Sequence, residues 1–239
     1  MILLKKYQIF LQKIFDDYMK YSLLPSLPAT SFQQILDLTE KLKDTISAFQ
    51  VDIVDGVFAP HRAWPFTESD VLSEWQKLSE LVAHFEIEID CMVQKPEQYL
   101  DIFSSLKVSR VIIHIGSTDC YGHCIRHARA HGYKVGFAFT NDVPLSFMYP
   151  YIELIDFVQI MGIKNIGQQG QPFDEQTLVT AKKLRDAYPN LEIAVDGGVN
   201  EETIIHLKKA GVNRFAPGSV ISGAADPVVA YKHLVSLIT

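Results

Sequence analysis

Only three of the 239 residues are cysteine, too few and too odd a number for a disulfide framework, which points to a reducing, cytoplasmic compartment. Basic residues are in deficit: 22 Lys and Arg face 28 Asp and Glu, a net charge of -6 with neutral histidines. That balance offers no stripe to neutralise a phosphate backbone, so nucleic acid is not an expected partner. No apolar run is long enough to cross a bilayer, and a membrane is not an expected partner either. Residues 1–22 lack the apolar core and small-residue cleavage site of a secretory leader, because lysines and aspartates interrupt each apolar run. They read instead as an amphipathic helix, with Leu4, Ile9, Phe10, Ile14, Phe15 and Tyr18 on one broad side, suited to covering an end of the fold or a subunit contact. Also missing are a Gly-x-Gly-x-x-Gly turn and a P-loop, which weighs against a doubly wound nucleotide-binding sheet.

What is plentiful is apolar material: 48% of residues are hydrophobic and 21% charged, enough for a sizeable core. After residue 22, short runs rich in apolar and β-branched residues alternate with stretches of helical spacing. The runs are 23–27, 49–54, 85–93, 110–115, 134–139, 157–163, 191–196 and 214–218. Between two of them, Phe173, Leu178, Ala181, Leu184 and Ala187 mark one face of a helix. Strand–helix repeats of this number without hairpin signals predict an α/β fold, a (β/α)8 TIM barrel over residues 23–239, with the N-terminal helix as part of the same domain.

In such a barrel chemistry sits at the C-terminal ends of the strands, on the residues that alternate inward. Gln50 and Asp52 share one face of the second strand, where a carboxylate is costly unless paired or metal-bound. Asp90 and Met92 share a face of the third strand, with Glu88 lower on it. His114 ends the fourth strand and reads as a satisfied core histidine. The seventh strand ends Asp196-Gly197-Gly198 and the eighth runs into Gly218-Ser219. Backbone N–H groups there suit a phosphate, although Gly218-Ser219 alone also fits an ordinary turn and helix cap. Asp52 and Asp196 fall on opposite sides of the ring in this reading. Two such carboxylates suit a reaction in which a proton leaves one face of a carbon and returns on the other. A further cluster, Cys120, His123, Cys124, His127 and His131, has zinc-like spacing on a helix, yet Tyr121, Cys124, Ile125 and Ala128 favour a face packed on the strands.

Taken together the motifs resemble the ribulose-phosphate 3-epimerases along nearly the whole chain after residue 22. Pro25-Ser26-Leu27 with Phe32, V-D-I-V-D-G-V-F-A-P (51–60), D-C-M-V-x-x-P (90–96), A-V-D-G-G-V (194–199) and A-P-G-S (216–219) carry the resemblance. It implies a barrel that inverts C3 of a phosphorylated ketose, such as D-ribulose 5-phosphate, through a 2,3-enediolate. It also implies Asp52 and Asp196 as the acid–base pair and a divalent metal at the substrate oxygens. Ser26, Asp90, Met92 and Met161 would line the sugar. Gly197, Gly198, Gly218 and Ser219 would hold the phosphate, and Gly167 and Gly170 belong to the loop that closes over it. The family also implies a homo-oligomer.

The departures from the family are specific. Its metal site of two histidines and two aspartates becomes Gln50, Asp52, Asp90 and Asp196, all oxygen donors. Manganese, magnesium or calcium fits such a set better than zinc. A metal is expected over none, because three converging carboxylates without a cation repel. The loop after the sixth strand reads Asn165-Ile166-Gly167-Gln168-Gln169-Gly170-Gln171, glutamine-rich where the family is glycine-rich and aromatic. The loop after the second strand brings Arg62, either a solvated charge or a contact for an added anionic group on the substrate. Two alternatives stand beside the epimerase: a non-catalytic or re-purposed sugar-phosphate-binding barrel, and, less favoured, a Schiff-base aldolase using Lys164.

Overall fold

The computed structural model describes residues 20–167 and 170–239. The N-terminal helix expected over residues 1–22 therefore lies almost wholly outside the described residues, as do Gln168 and Gln169. All strands belong to one parallel sheet. We number them β1 (two short pieces, Ser22–Leu23 and Ser26–Leu27), β2 (Ala48–Val54), β3 (Glu86–Met92), β4 (Arg110–His114), β5 (Lys134–Phe139), β6 (Phe157–Met161), β7 (Glu192–Asp196) and β8 (Arg214–Ala216). Each expected run overlaps one strand or, for the first, its two pieces, with Ser22 and Ala48 each one residue ahead of the expected start.

The ring closes through β1. Its first piece pairs with β8 (Leu23 opposite Phe215), and its second pairs with β2 (Ser26 opposite Gln50). Leu24 N donates to Phe215 O at 2.8 Å, Ser26 N to Pro217 O at 3.0 Å, and Gln50 N to Pro25 O at 2.8 Å. Pro25 has no N–H to give, which fits the break in the ladder at that point.

Helices cover the outside. α1 (Phe32–Leu42) buries Phe32, Ile35, Thr39 and Leu42, one stripe at helical spacing. α2 (Tyr121–His131) buries Tyr121, Cys124, Ile125 and Ala128 and ends at Gly132, whose φ of 78° suits a residue without Cβ. This is the packed face expected of the Cys/His stretch. His127 is held there by the Tyr133 hydroxyl at 2.9 Å and Asp101 at 3.0 Å. α3 (Gln176–Ala187) lies within the helical stretch read from the sequence. The strand–helix alternation fails between β5 and β6, where a single 3-10 turn, Leu145–Phe147, stands in the place of a helix. Pro144 and Pro150 bracket a stretch too short for α-helix, and Met148, Ile152 and Ile155 cover the strands instead.

The base of the barrel interior is an ion cluster. Glu88 accepts from Arg110 Nε at 2.7 Å and from Arg214 Nη2 at 2.9 Å, and Arg110 also reaches Glu192. The Arg110 guanidinium stacks 3.9 Å from the Phe157 ring centroid. Gly136 makes room for that ring, since a Cβ there would stand 2.3 Å from it. Ile112, Ala138, Phe157 and Met161 form an apolar plug inside the ring.

Candidate functional site

Above the plug the inward positions turn polar. On β2 the outward Val51 and Ile53 pack in the main core, so strand alternation sends Gln50 and Asp52 inward. Asp52, Asp90 and Asp196 converge: each offers a carboxylate oxygen, all within 4.8 Å of one another, and all three are buried. Asp52 and Asp196 do not face each other across the diameter, as the sequence reading had it. Counted around the closed ring, only β1 and β8 separate β2 from β7, and the two side chains meet at one amide. Gln50 Nε2 donates to Asp52 Oδ1 at 2.8 Å and to Asp196 Oδ2 at 2.9 Å. Ser26 Oγ donates to the other Asp52 oxygen at 2.7 Å.

Asp90 is held separately. His114 Nε2 stands 2.7 Å from its Oδ1, and Gln159 Nε2 donates to its Oδ2 at 3.0 Å. His114 is thus satisfied, as a core histidine should be, but by a site carboxylate. Gln159 was not singled out from the sequence. Its signal was there, two residues before Met161 on the same strand and so on the same face.

Burial is the main cause of raised proton affinity here. It pushes the Asp52 carboxyl up to about 7, with the Asp90 charge adding and the Gln50 and Ser26 bonds opposing. Asp196 is pushed well above the usual carboxylate range by burial, then by the charges of Asp52 and Asp90. The donor set fits a hard divalent cation: three carboxylates and the Gln50 carbonyl oxygen, which is buried without a hydrogen-bond partner. A half-turn of that amide would exchange its nitrogen for its oxygen between the carboxylates.

A cavity of about 580 Å³ opens above the carboxylates. Asp52 and Asp196 reach it, together with Ser26, Met92 and Met161. Gly197, Gly198, Gly218 and Ser219 form another part of its wall, and Gly167 and Gly170 line it from the loop after β6. Gln50 and Asp90 are wholly buried and are not among its lining residues. The N–H groups of Gly198 and Gly218 have no acceptor among the described residues. Arg62 lines the mouth and makes no ion pair among the described residues. Its loop is pinned by Asp55, which accepts from the backbone N–H groups of Val57, Phe58 and Gln94. Gly167 packs on that loop, and a Cβ there would stand 3.1 Å from Pro60 O. Lys164 is exposed and does not line the cavity, which removes support for an aldolase.

No helix among the described residues is long and apolar enough to cross a membrane. The profile of the Ribulose-phosphate 3 epimerase family matches residues 22–222. The ribulose-phosphate 3-epimerase of Schizosaccharomyces pombe is 28% identical over 205 residues, 85% of this chain and 87% of that protein. The cytoplasmic isoform of ribulose-phosphate 3-epimerase from rice, Oryza sativa subsp. japonica, is 30% identical over 182 residues, 74% of this chain and 76% of that protein. Among solved structures, 3-hexulose-6-phosphate synthase from Salmonella typhimurium superposes with a TM-score of 0.68 at 19% identity, over 90% of this chain and 97% of that one. This last likeness is one of fold alone.

Proposed function

The chain belongs to the ribulose-phosphate 3-epimerase family, carbohydrate isomerases that act on pentose phosphates, and from this premise we propose that Asp52 and Asp196 move the proton at C3 of a ketose phosphate. The observation that carries the proposal is the pair itself: two buried carboxylates at the floor of one cavity, joined by a single amide nitrogen. Both carboxylates reach the cavity, so Asp52 serves as the base for one epimer and Asp196 as the acid. Asp52 takes the C3 proton, the C–H electron pair moves into the C2–C3 bond, and the carbonyl oxygen becomes the enediolate oxygen. Asp196 then delivers a proton to the other face of C3 and the carbonyl re-forms. The reverse reaction exchanges the roles.

A divalent cation, when bound by Asp52, Asp90, Asp196 and the Gln50 carbonyl, supplies positive charge to the oxygens of the enediolate. The rest falls to the chain. Gln50 and Ser26 orient Asp52, and Met92 and Met161 shield the reacting carbon from water. The free N–H groups of Gly198 and Gly218, with Ser219 assisting, bind the phosphate. Neither strand exit contains a lysine or arginine, so backbone does this work. All three cysteines are free thiols, which suits the cytoplasm.

Incubation with D-ribulose 5-phosphate in D2O tests the reading. D-xylulose 5-phosphate carrying solvent deuterium at C3 is the expected product. An unchanged pool of protonated substrate would show that this pair does not act on it.

A further inference from the structure

In zinc sites a ligating histidine commonly leans on a carboxylate behind it. Here the order is reversed. Asp90 faces Asp52 and Asp196, and His114 stands behind it, with Gln159 closing the other side. We propose that His114 and Gln159 are positioning residues that make Asp90 a metal ligand, in place of the imidazole the family carries there. The proposal rests on the divalent-metal reading above.

Asp90 is costly to bury. Its relative exposure is 0%, and an ionised carboxylate in such a place needs donors. Both donors are themselves buried, His114 at 1% and Gln159 at 0%. They come from β4 and β6 and engage one carboxylate oxygen each, which fixes the plane of the group. Each carboxylate oxygen accepts at two sites, so one on each remains for a cation. His114 donates to Asp90 in the tautomer that carries its hydrogen on Nε2.

Gln159 ties the ligand to the cavity as well. Its Nε2 lies 3.7 Å from the Met161 sulfur, and Met161 lines the cavity wall. Its carbonyl oxygen is buried without a partner, so the amide is turned toward Asp90 at the expense of its other end. A side chain kept for packing alone has no reason to hold that orientation. The Asp90 bond supplies one.

The test is Mn²⁺ binding to the full-length protein after chelation, read by the EPR signal of free Mn²⁺ at one fixed pH. His114→Ala and Gln159→Leu are each expected to weaken binding about 10- to 100-fold, the range for residues that support a metal ligand. His114→Gln keeps a donor near the same place and is expected to recover most of the affinity. The same His114→Ala change in an Asp90→Asn background is expected to add little, because the residue acts through Asp90. Thermal unfolding of the metal-free variants identifies any that have simply lost the fold, and His114→Leu, which fills the space without a donor, serves in place of His114→Ala. Wild-type Mn²⁺ affinity in a folded variant that lacks the donor, at His114 or at Gln159, overturns the proposal, as does an equal loss with and without Asp90. A wild-type protein that binds no Mn²⁺ overturns the metal reading and this proposal with it, whereas wild-type binding with unaffected variants overturns this proposal alone.

Discussion

Asp52 and Asp196 accept hydrogen bonds from one nitrogen, Gln50 Nε2, at 2.8 and 2.9 Å. Two carboxylates that share a donor do not titrate independently. A proton on one raises the acidity of the other, so the pair holds and releases protons as a unit. On the proposed mechanism, this relationship lets one member of the pair act as acid while the other acts as base.

Replacing either carboxylate by its amide tests the pair directly. Asn keeps the size of Asp and an oxygen that can still accept from Gln50. Asp52→Asn and Asp196→Asn are expected to lower both epimerisation and C3 deuterium exchange by about 10²- to 10⁴-fold, with thermal stability retained. Near-normal exchange in either variant would remove that residue from the mechanism.

The same pair sets a pH dependence of stability. In the unfolded chain both carboxyls titrate near 4, whereas burial lifts Asp52 to about 7 and Asp196 well above its usual range. Between those limits the folded protein holds protons that the unfolded chain has released. Their contribution is present below about pH 4 and lost as pH rises through the folded values. Asp101 contributes with the opposite sign, because its bond from His127 holds it low. A comparison isolates the pair. Chelated wild-type protein should lose more stability in urea between pH 5 and pH 8 than the Asp52→Asn/Asp196→Asn double variant. Parallel pH profiles would contradict the assignment.

Backbone recognition of phosphate makes Gly218 the informative glycine. Its φ is -96°, and a Cβ there meets only Ser26 atoms at 3.7 Å, so a side chain fits the fold. Gly197 and Gly198 are poorer choices, with positive φ and a Cβ within 3.0 Å of Ile163 and Phe173 respectively. Gly218→Val should occupy the anion position and weaken binding of phosphorylated ligands about 10- to 100-fold by calorimetry. A bound phosphate found on Arg62 or Lys164 would instead place recognition at the mouth.

The oxygen-only donor set has its own signature. Three carboxylates leave one net negative charge after a divalent cation binds. Activity lost on chelation should return with Mn²⁺, Mg²⁺ or Ca²⁺ more fully than with Zn²⁺. Full activity in metal-free protein would rule out a catalytic metal, and tight stoichiometric zinc would contradict the donor assignment.

A fifth expectation concerns the barrel base. Gly136→Ala drives a methyl into the Phe157 ring on which Arg110 stacks. Overpacking of this kind costs about 1–3 kcal/mol. The melting temperature should fall by several degrees while the carboxylates above remain in place.

Eight strands were legible because runs such as Val111-Ile112-Ile113 are buried on both faces and bounded by turns. The inward set at Gln50, Asp52, Asp90, Met92 and Asp196 followed from strand alternation. Separation was harder to read. Counting strands along the chain puts Asp52 and Asp196 far apart, and only the closure through β1 makes β2 and β7 near neighbours. The partners of Asp90 depend on register and side-chain reach across strands, which periodicity does not carry. The missing helix between β5 and β6 was written in Pro144 and Pro150, but the regular alternation elsewhere outweighed them.

The two-piece first strand has a consequence for how the molecule comes into being. Strands β2 to β8 each pair with the one made just before, so a wall can assemble in order as the chain is synthesised. The seam is different: β1 must wait for Arg214–Ala216, the strand furthest from it along the chain. Until then β2 and β7 lie toward opposite edges of an open sheet, and Gln50 has no Asp196 to bridge to. Pairing of β1 with β8 and apposition of the carboxylates are thus linked. A protein cut short before β8 would carry both aspartates and much of the wall, yet no paired site. Pairing across so long a stretch of chain is the kind of contact that slows folding.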